Sequence, residues 1–445
     1  MKSNPFLNFT ELAISPARKF ALDVAAAGLT ALNPETLLRK VVHLNESELL
    51  EIVGHFFPTT SGRIFVIGGG KAADVMAAAL ESILTPKSIT AGIVICKTQS
   101  ARPRKIQVRE AGHPIPDQRG LDAMNEIMAM KDKYDIDKND LVICLLSGGA
   151  SALMPLPAPG ITLEDKQALT RMLLASGAEI SEVNVIRKHL SSSKGGKLGL
   201  HFASAMVISL IVSDVIGNDL AAIGSGPTFP EKTTPQAAVK LIQHYGLWDK
   251  IPESIQQHLK SNSDQPVMNE PENCFNYIIG DSNTALEAMK HEVEQKGKRV
   301  LMISNALKGE PESTARELAG NILDGKYGGY DVLLAAGETT PALPNNPGQG
   351  GRNQHFAAST LLCLKDLSRD WVHISLGSDG SDYLSDVAGA LVDSNVLEKS
   401  RTLGLSLRDY LDRFDTYNFF KKIGSSLIET GPTGTNVGDL MIYVI

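Results

Sequence analysis

Apolar runs of strand length alternate with helix-period segments along most of this chain. The runs 63–70 (RIFVIGGG), 91–97 (AGIVICK), 140–149 (DLVICLLSGG) and 205–215 (AMVISLIVSDV) are continuous, not alternating. That predicts strands buried on both faces. Between them, 71–84, 118–130 and 162–176 carry helical spacing. Strands covered by helices predict a parallel sheet, with ligands at the strand carboxyl ends. The stretch 249–273 is polar, holds several prolines and shows no strand period. Beyond it the alternation restarts at 276–281, 299–304, 330–338 and 371–380. The expectation is two α/β domains, 1–245 and 276–445, each a largely parallel sheet flanked by helices. A linker or surface excursion at 246–275 would join them. The final run, 439–445, reads as a strand that either domain could hold.

Composition narrows the class. At 445 residues the chain is too long for one ordinary core. Hydrophobic content of 43% and charged content of 21% are those of a globular enzyme. A net charge of -7 argues against nucleic acid or an anionic membrane as the main partner. Cys96, Cys144, Cys274 and Cys363 form no CxxC pair, so zinc and redox dithiol patterns are absent. Cys96 and Cys144 read as buried thiols. No run is long enough to span a bilayer, and the N-terminal stretch lacks a signal-peptide core. The expected setting is the reducing cytoplasm.

Small-residue loops follow the strands. The first, 68-GGGKAA-73, places Gly69, Gly70 and Lys71 where a helix begins, so its first amides should face a ligand. The bland reading is a tight turn with a surface lysine. Gly68, Gly70 and Ala73 also match the dinucleotide fingerprint G-x-G-x-x-A. The next strand ends in Cys96, Lys97 and Thr98, with no acid for a ribose, which disfavours NAD and leaves an NADP-type site open. The second loop holds Ser147, Gly148, Gly149 and Ser151, where backbone can approach a phosphate or carboxylate. Either serine as an acyl nucleophile lacks the G-x-S-x-G elbow. Thr162 to Asp165 reads as a helix cap.

Further on, Arg187, Lys188, His189, Lys194 and Lys197 cluster in an otherwise acidic chain. They are either a solvated helix face or cations around an anion. Asp214 and Asp219 follow a buried strand, as magnesium ligands or turn caps. Glu338, Arg352 and Asn353 flank a Gly-rich turn. Asp379, Asp382 and Asp386 lie close together without EF-hand spacing. Thr435, Asn436 and Asp439 close the series. Cations for a transferring group, carboxylates for a metal and a carboxylate to orient a hydroxyl are the inventory of phosphoryl transfer.

In order and spacing, 68-GGGKAA-73, 111-AGHPIPD-117, 147-SGGASALMPLPAPGITLEDK-166, 186-IRKHLSSSKGGKL-198, 213-SDVIGNDLAAIGSGPT-228, 337-GETT-340, 350-GGRNQ-354, 377-GSDGSD-382 and 431-GPTGTN-436 resemble the class II glycerate 2-kinases, the MOFRL family. The resemblance covers nearly the whole chain. It implies ATP and Mg2+ as cofactors, D-glycerate or a similar hydroxy acid as substrate, and 2-phosphoglycerate as product. It implies an active site in an interdomain cleft, with the catalytic lysine at Lys71 and the active-site arginine at Arg352. Asp214 follows as a further catalytic group, with Asp379 and Asp382 on the metal. Gly69, Gly70, Ser147, Gly148, Gly149, Ser151, Arg187, Lys194, Glu338, Asn353, Thr435 and Asn436 follow as substrate or phosphate ligands. A homo-oligomer is left open.

The chain departs from the family pattern at 383-YLS-385, at 341-PALPNN-346 and at Ala73, where the family usually has serine. These changes spare the charged groups and bear on substrate fit, so a related sugar acid is an alternative acceptor. An NADPH-linked hydroxypyruvate reductase is the alternative reaction, and a sensor without catalysis a third reading.

Overall fold

A computed structural model describes residues 4–45, 48–59, 62–84, 88–263, 266–384 and 386–445. The chain forms two compact units, Leu37–Ile279 and Met1–Thr36 with Gly280–Ile445. This division differs from the expected one at both ends of the first domain. Helix α1 (Pro16–Ala31) sits in the second unit, where Arg18 is buried against Asp393. Arg18 donates from Nε to Asp393 Oδ2 (2.6 Å) and from Nη2 to Oδ1 (2.9 Å).

The first unit is built on β1 (Ile64–Gly69), β2 (Ile89–Cys96), β3 (Ile106–Glu110), β4 (Leu141–Ser147), β5 (Met206–Val212) and β6 (Cys274–Gly280). Their order is β3-β2-β1-β4-β5-β6, and the pairs from β3 to β5 are parallel. The continuous apolar runs lie where both sheet faces are covered: every residue of β1 and β4 is buried. Strand order reverses at β1 and β4, so the loops after them diverge from one crevice, the usual ligand position of open α/β sheets.

Helices α2 (Ala73–Leu84), α3 (Gln118–Lys133), α4 (Leu163–Ala175), α5 (Ile180–His189), α6 (Pro235–His244) and α7 (Glu253–Ser261) complete this unit. The expected cap of α4 is present: Thr162 and Asp165 form a reciprocal capping box. The polar stretch at 246–275 is not a bare connector. Ile255 and Leu259, four apart on α7, are fully buried in a cluster with Leu169, Val183 and Ile242. One apolar stripe on a short, otherwise polar helix is easily read as linker. Residues 264–265 of that stretch lie outside the described residues. The run at 276–281 is β6, an edge strand of the first sheet rather than the start of the second.

In the second unit, α8 (Ser282–Gln295) packs on α1, so closely that a Cβ on Gly28 would sit 2.8 Å from Met289 Cγ. The sheet comprises β7 (Val300–Leu307), β8 (Val332–Gly337), β9 (Val372–Gly377), β10 (Gly389–Asp393), β11 (Leu427–Ile428) and β12 (Asp439–Val444), in the order β7-β8-β12-β9-β10-β11. Here the expectation of a largely parallel sheet gives way to a mixed one. Only β7 and β8 pair parallel, because the C-terminal strand β12 inserts antiparallel between β8 and β9. Helix α9 (Arg352–Cys363) covers one face, with Phe356, Ala357 and Leu361 fully buried.

Candidate functional site

The β1 and β4 loops are locked together. Gly70 has φ +144°, and a Cβ there would stand 2.1 Å from Ser147 Oγ. Only glycine allows that approach. Ser147 is fully buried, and its hydroxyl accepts from Ala72 N at 3.0 Å. Lys71 N donates to Gly148 O at 2.8 Å, and Gly70 N to Ile95 O at 3.0 Å. The amides expected to face a ligand at the start of α2 therefore bond the neighbouring loop and strand. Ser147, Gly69 and Gly70 serve this junction. A Cβ on Gly69 would crowd Met154 at 2.7 Å. Gly149, at φ +86°, carries the chain past the Lys71 stem: a Cβ there would lie 3.2 Å from Lys71 Cγ and 3.1 Å from the His113 ring.

Beside this junction lies a pocket of 470 Å³. Gly149, Ser151, Arg187 and Lys194 of the expected ligand set line it, together with His113, Lys166 and Arg171, which sequence reading passed over. No carboxylate is among its lining residues. Lys194 Nζ donates to Ser151 O (2.8 Å) and Gly224 O (3.3 Å). Burial lowers its pKa well below the ordinary value, with Lys166 and Arg187 adding repulsion. Burial also lowers that of Arg187. Lys166 Nζ is closed off from solvent and makes no hydrogen bond. Burial, with Lys197 and Arg187 nearby, brings its ammonium down to about 7.

The cation run that begins on α5 thus divides. Arg187 and Lys194 face this pocket, whereas Lys188 pairs with Glu231 (2.8 Å) and Lys197 donates to the carbonyls of Lys188 and Ser191. Ser151 Oγ meets Ser225 Oγ at 2.7 Å, where Ser225 has φ +64°. Asp214 is half-buried in the loop after β5, and Asp219 caps its turn through Ala221 N (2.9 Å).

In the second unit Asp439 opens β12, in register with Gly337 and Gly377, the last residues of β8 and β9. It is fully buried beneath Arg352. The Arg352 guanidinium donates to Asp439 through Nε (2.7 Å) and Nη2 (2.9 Å), and to Glu338 through Nη1 (2.6 Å). Burial works against the Arg352 charge, but the two carboxylates more than restore it and hold its pKa above the ordinary value. Burial pushes the Asp439 carboxyl up to about 6, with Arg352 opposing.

Asn353 is buried, its amide spent on Asp439 Oδ1 (2.9 Å) and on the Ser375 hydroxyl (2.7 Å). It thereby holds the Asp439 carboxylate. Asp382, expected on a metal, is likewise engaged within the protein. It is buried and accepts from the backbone of Asn353 (3.0 Å) and Gln354 (2.8 Å), capping α9 where the N-cap is the side-chain-free Gly351. A Cβ on Gly351 would lie 2.2 Å from the Asp382 carboxylate. Asp379 Oδ1 accepts from Ser381 N and Oγ, both at 3.0 Å. Among the described residues no group of three or more His, Cys, Asp or Glu side chains could hold a metal ion. Thr435 and Asn436 are buried beside β12, and Thr435 Oγ1 has no hydrogen-bond partner. Of the departures at 383–385, Tyr383 is 72% exposed and Ser385 lies outside the described residues. Cys96, Cys144 and Cys274 are buried free thiols. No helix among the described residues is long and apolar enough to cross a membrane.

A parallel sheet with a cationic pocket free of lining carboxylates beside its switch point, followed by a mixed sheet in which Arg352 is paired to a buried aspartate, defines a two-unit α/β protein. Comparison with known proteins makes this specific. Residues 20–260 match the domain of unknown function DUF4147, and residues 331–439 match the MOFRL family. A glycerate 2-kinase of Pyrococcus horikoshii is 33% identical over 438 residues, 96% of this chain and 97% of that protein. A protein of Agrobacterium vitis named putative hydroxypyruvate reductase is 38% identical over 403 residues, covering 89% and 90%. The crystal structure of glycerate kinase from Thermotoga maritima superposes with a TM-score of 0.84 at 32% identity, over 96% of this chain and 99% of that one. The chain belongs to the class II glycerate 2-kinase family, with a MOFRL domain.

Proposed function

We propose that this protein transfers the γ-phosphoryl group of ATP to the 2-hydroxyl of D-glycerate, giving 2-phosphoglycerate and ADP. The observation that carries the reading is near full-length similarity to proteins named glycerate 2-kinase and glycerate kinase. The chemistry of the pocket supports it: Arg187, Lys194 and Lys166 without a lining carboxylate suit the phosphates of such a reaction. Lys71, at the lip by Gly149, would neutralise charge on the transferring group. Arg352, oriented by Asp439 and Glu338, is a candidate cation for a substrate anion. Asp214 is the candidate acceptor of the hydroxyl proton, and Ser151 a candidate phosphate ligand. Thr435, with its unpartnered hydroxyl, and Asn436 remain candidate substrate ligands.

ATP supplies the phosphoryl group, and Mg2+ neutralises its phosphates. The cytoplasm is the proposed setting. A sugar acid related to glycerate remains the alternative acceptor.

The hydroxypyruvate reductase reading has the name of the Agrobacterium relative in its favour. Against it stands the first loop. A dinucleotide fold offers its loop and helix amides to a pyrophosphate. Here Lys71 N and Ala72 N are bonded to Gly148 O and Ser147 Oγ. Incubation with ATP, Mg2+ and D-glycerate, coupled to ADP detection and followed by NMR of the product, tests the reading. ADP with phosphate on the 2-hydroxyl is expected. NADPH consumption with hydroxypyruvate, and no ADP, would replace it.

A further inference from the structure

Lys166 is given no role in the reading of the sequence, yet its burial sets it apart from an ordinary surface lysine. It lies on α4 at a spacing of four from Thr170 and of eight from Leu174, so the three share a helix face. That face forms a wall of the 470 Å³ pocket. Its ammonium is cut off from water and bonded to nothing. A buried cation without an acceptor is costly, and an anionic ligand removes the cost. Two more cations converge there. Arg187 is drawn from the next helix, and Lys194 keeps one N–H beyond the two it gives to Ser151 O and Gly224 O.

Away from these cations the exposed lining is mostly apolar and partly open. Ile115 is 65% exposed and Leu174 55% exposed, and both line the pocket. A three-carbon acid has no apolar body to cover such side chains and would leave most of the volume empty. A ligand with several anionic groups at one end and a flat apolar body at the other matches both parts.

We propose that this pocket seats the adenine nucleotide, with its phosphates on Lys166, Arg187 and Lys194 and its base against Ile115 and Leu174. The inference rests on the kinase reading and adds the place of the nucleotide and a phosphate ligand, Lys166. The charge state of Lys166 gives an independent signature. Burial, then Lys197 and Arg187, hold its pKa down, Lys194, Arg171 and His113 stand on the lining, and no lining carboxylate opposes them. Bound phosphate would restore the proton, so binding above neutral pH takes up protons.

The test is calorimetric titration of the full chain with MgADP and, separately, with 2-phosphoglycerate. Lys166→Met is expected to weaken MgADP binding at least tenfold, Lys166→Arg to recover most of it, and Leu174→Ser to weaken it severalfold from a surface position that does not threaten folding. Affinity for 2-phosphoglycerate stays unchanged, and proton uptake at pH 8 is lost in Lys166→Met. MgADP binding unchanged in both Lys166→Met and Leu174→Ser overturns the proposal, as does a loss confined to 2-phosphoglycerate. If Lys166→Met does not fold, Leu174→Ser decides. The two readings fail separately. A wild-type chain that binds MgADP through Lys166 but phosphorylates no D-glycerate keeps the pocket and loses the kinase reading. One that phosphorylates D-glycerate with MgADP indifferent to Lys166 and Leu174 loses only the pocket.

Discussion

Asp439 holds Arg352 with both carboxylate oxygens, at 2.7 and 2.9 Å, from the first residue of the strand that divides β8 from β9. The pair fixes the guanidinium plane, and Glu338 takes the remaining edge at 2.6 Å. An arginine held this way loses little freedom when it meets an anion, which is the advantage of a preorganised charge.

This geometry needs the ionised carboxylate, and burial pushes Asp439 up to about 6. Activity is therefore expected to fall as pH drops below about 6. Asp439→Asn should lower kcat/KM by about 10²-fold or more and flatten that acid limb. The effect on stability has the opposite sense. The folded carboxyl binds its proton more tightly than the unfolded one, so its contribution is present at acidic pH and lost as pH rises through about 6. Urea midpoints at pH 4.5 and pH 7 should show wild type losing ground to Asp439→Asn over that window. An acid limb unchanged by the substitution would assign it to another group.

Asp382 is expected to behave as a structural cap. Asp382→Ala removes acceptors from the buried amides of Asn353 and Gln354 at the start of α9. The cost is about 1–3 kcal/mol, read as a lower thermal midpoint. Raising Mg2+ should not rescue the lost activity. Rescue by Mg2+ would return Asp382 to the metal.

The strand ends were legible because continuous apolar runs mark a doubly covered sheet, and the turns after β1 and β4 follow from them. The insertion of β12 between β8 and β9 was not legible, since it depends on pairings more than 60 residues apart in sequence. The same holds for α1, whose small-residue face, including Gly28, packs on α8 over 250 residues away. Lys166 was hidden by its surroundings: after Thr162, Glu164 and Asp165 it looks like a surface lysine of a capped helix. Its spacing from Thr170 and Leu174 was the available signal. Arg352 was found from its Gly-rich turn, but the partner that aims it, Asp439, begins a strand whose neighbours only the structure reveals.

Ser147 joins the two loops at the switch point and is expected to act there as a structural acceptor. Ser147→Ala leaves Ala72 N without an acceptor in a buried junction. A loss of about 1–3 kcal/mol is expected, with reduced but measurable turnover. Complete inactivity in a protein with wild-type stability would contradict this assignment.

Arg18 ties the N-terminal helix to the second unit through a buried bidentate pair with Asp393. Arg18→Ala strands the Asp393 carboxylate in the interior. Removing one partner of such a pair costs about 3–5 kcal/mol. Chemical denaturation should show that loss, and limited proteolysis should show earlier cleavage around α1. A variant as stable as wild type would mean that the pair adds nothing to the attachment of the helix.

Lys71 offers a cleaner separation of charge from packing. Its stem runs past Gly149, a contact that depends on methylene groups. Lys71→Met keeps a stem of similar shape and removes only the ammonium. The fold should therefore be unchanged, since the Lys71 amide still bonds Gly148 O. Loss of a cation that acts on the transferring phosphoryl group should lower kcat by about 10²-fold or more, with KM for ATP moving far less. A variant with raised KM and normal kcat would instead make Lys71 a ground-state ligand, and would move the charge that matters in the transition state to Arg352 or to the cations beside Lys166.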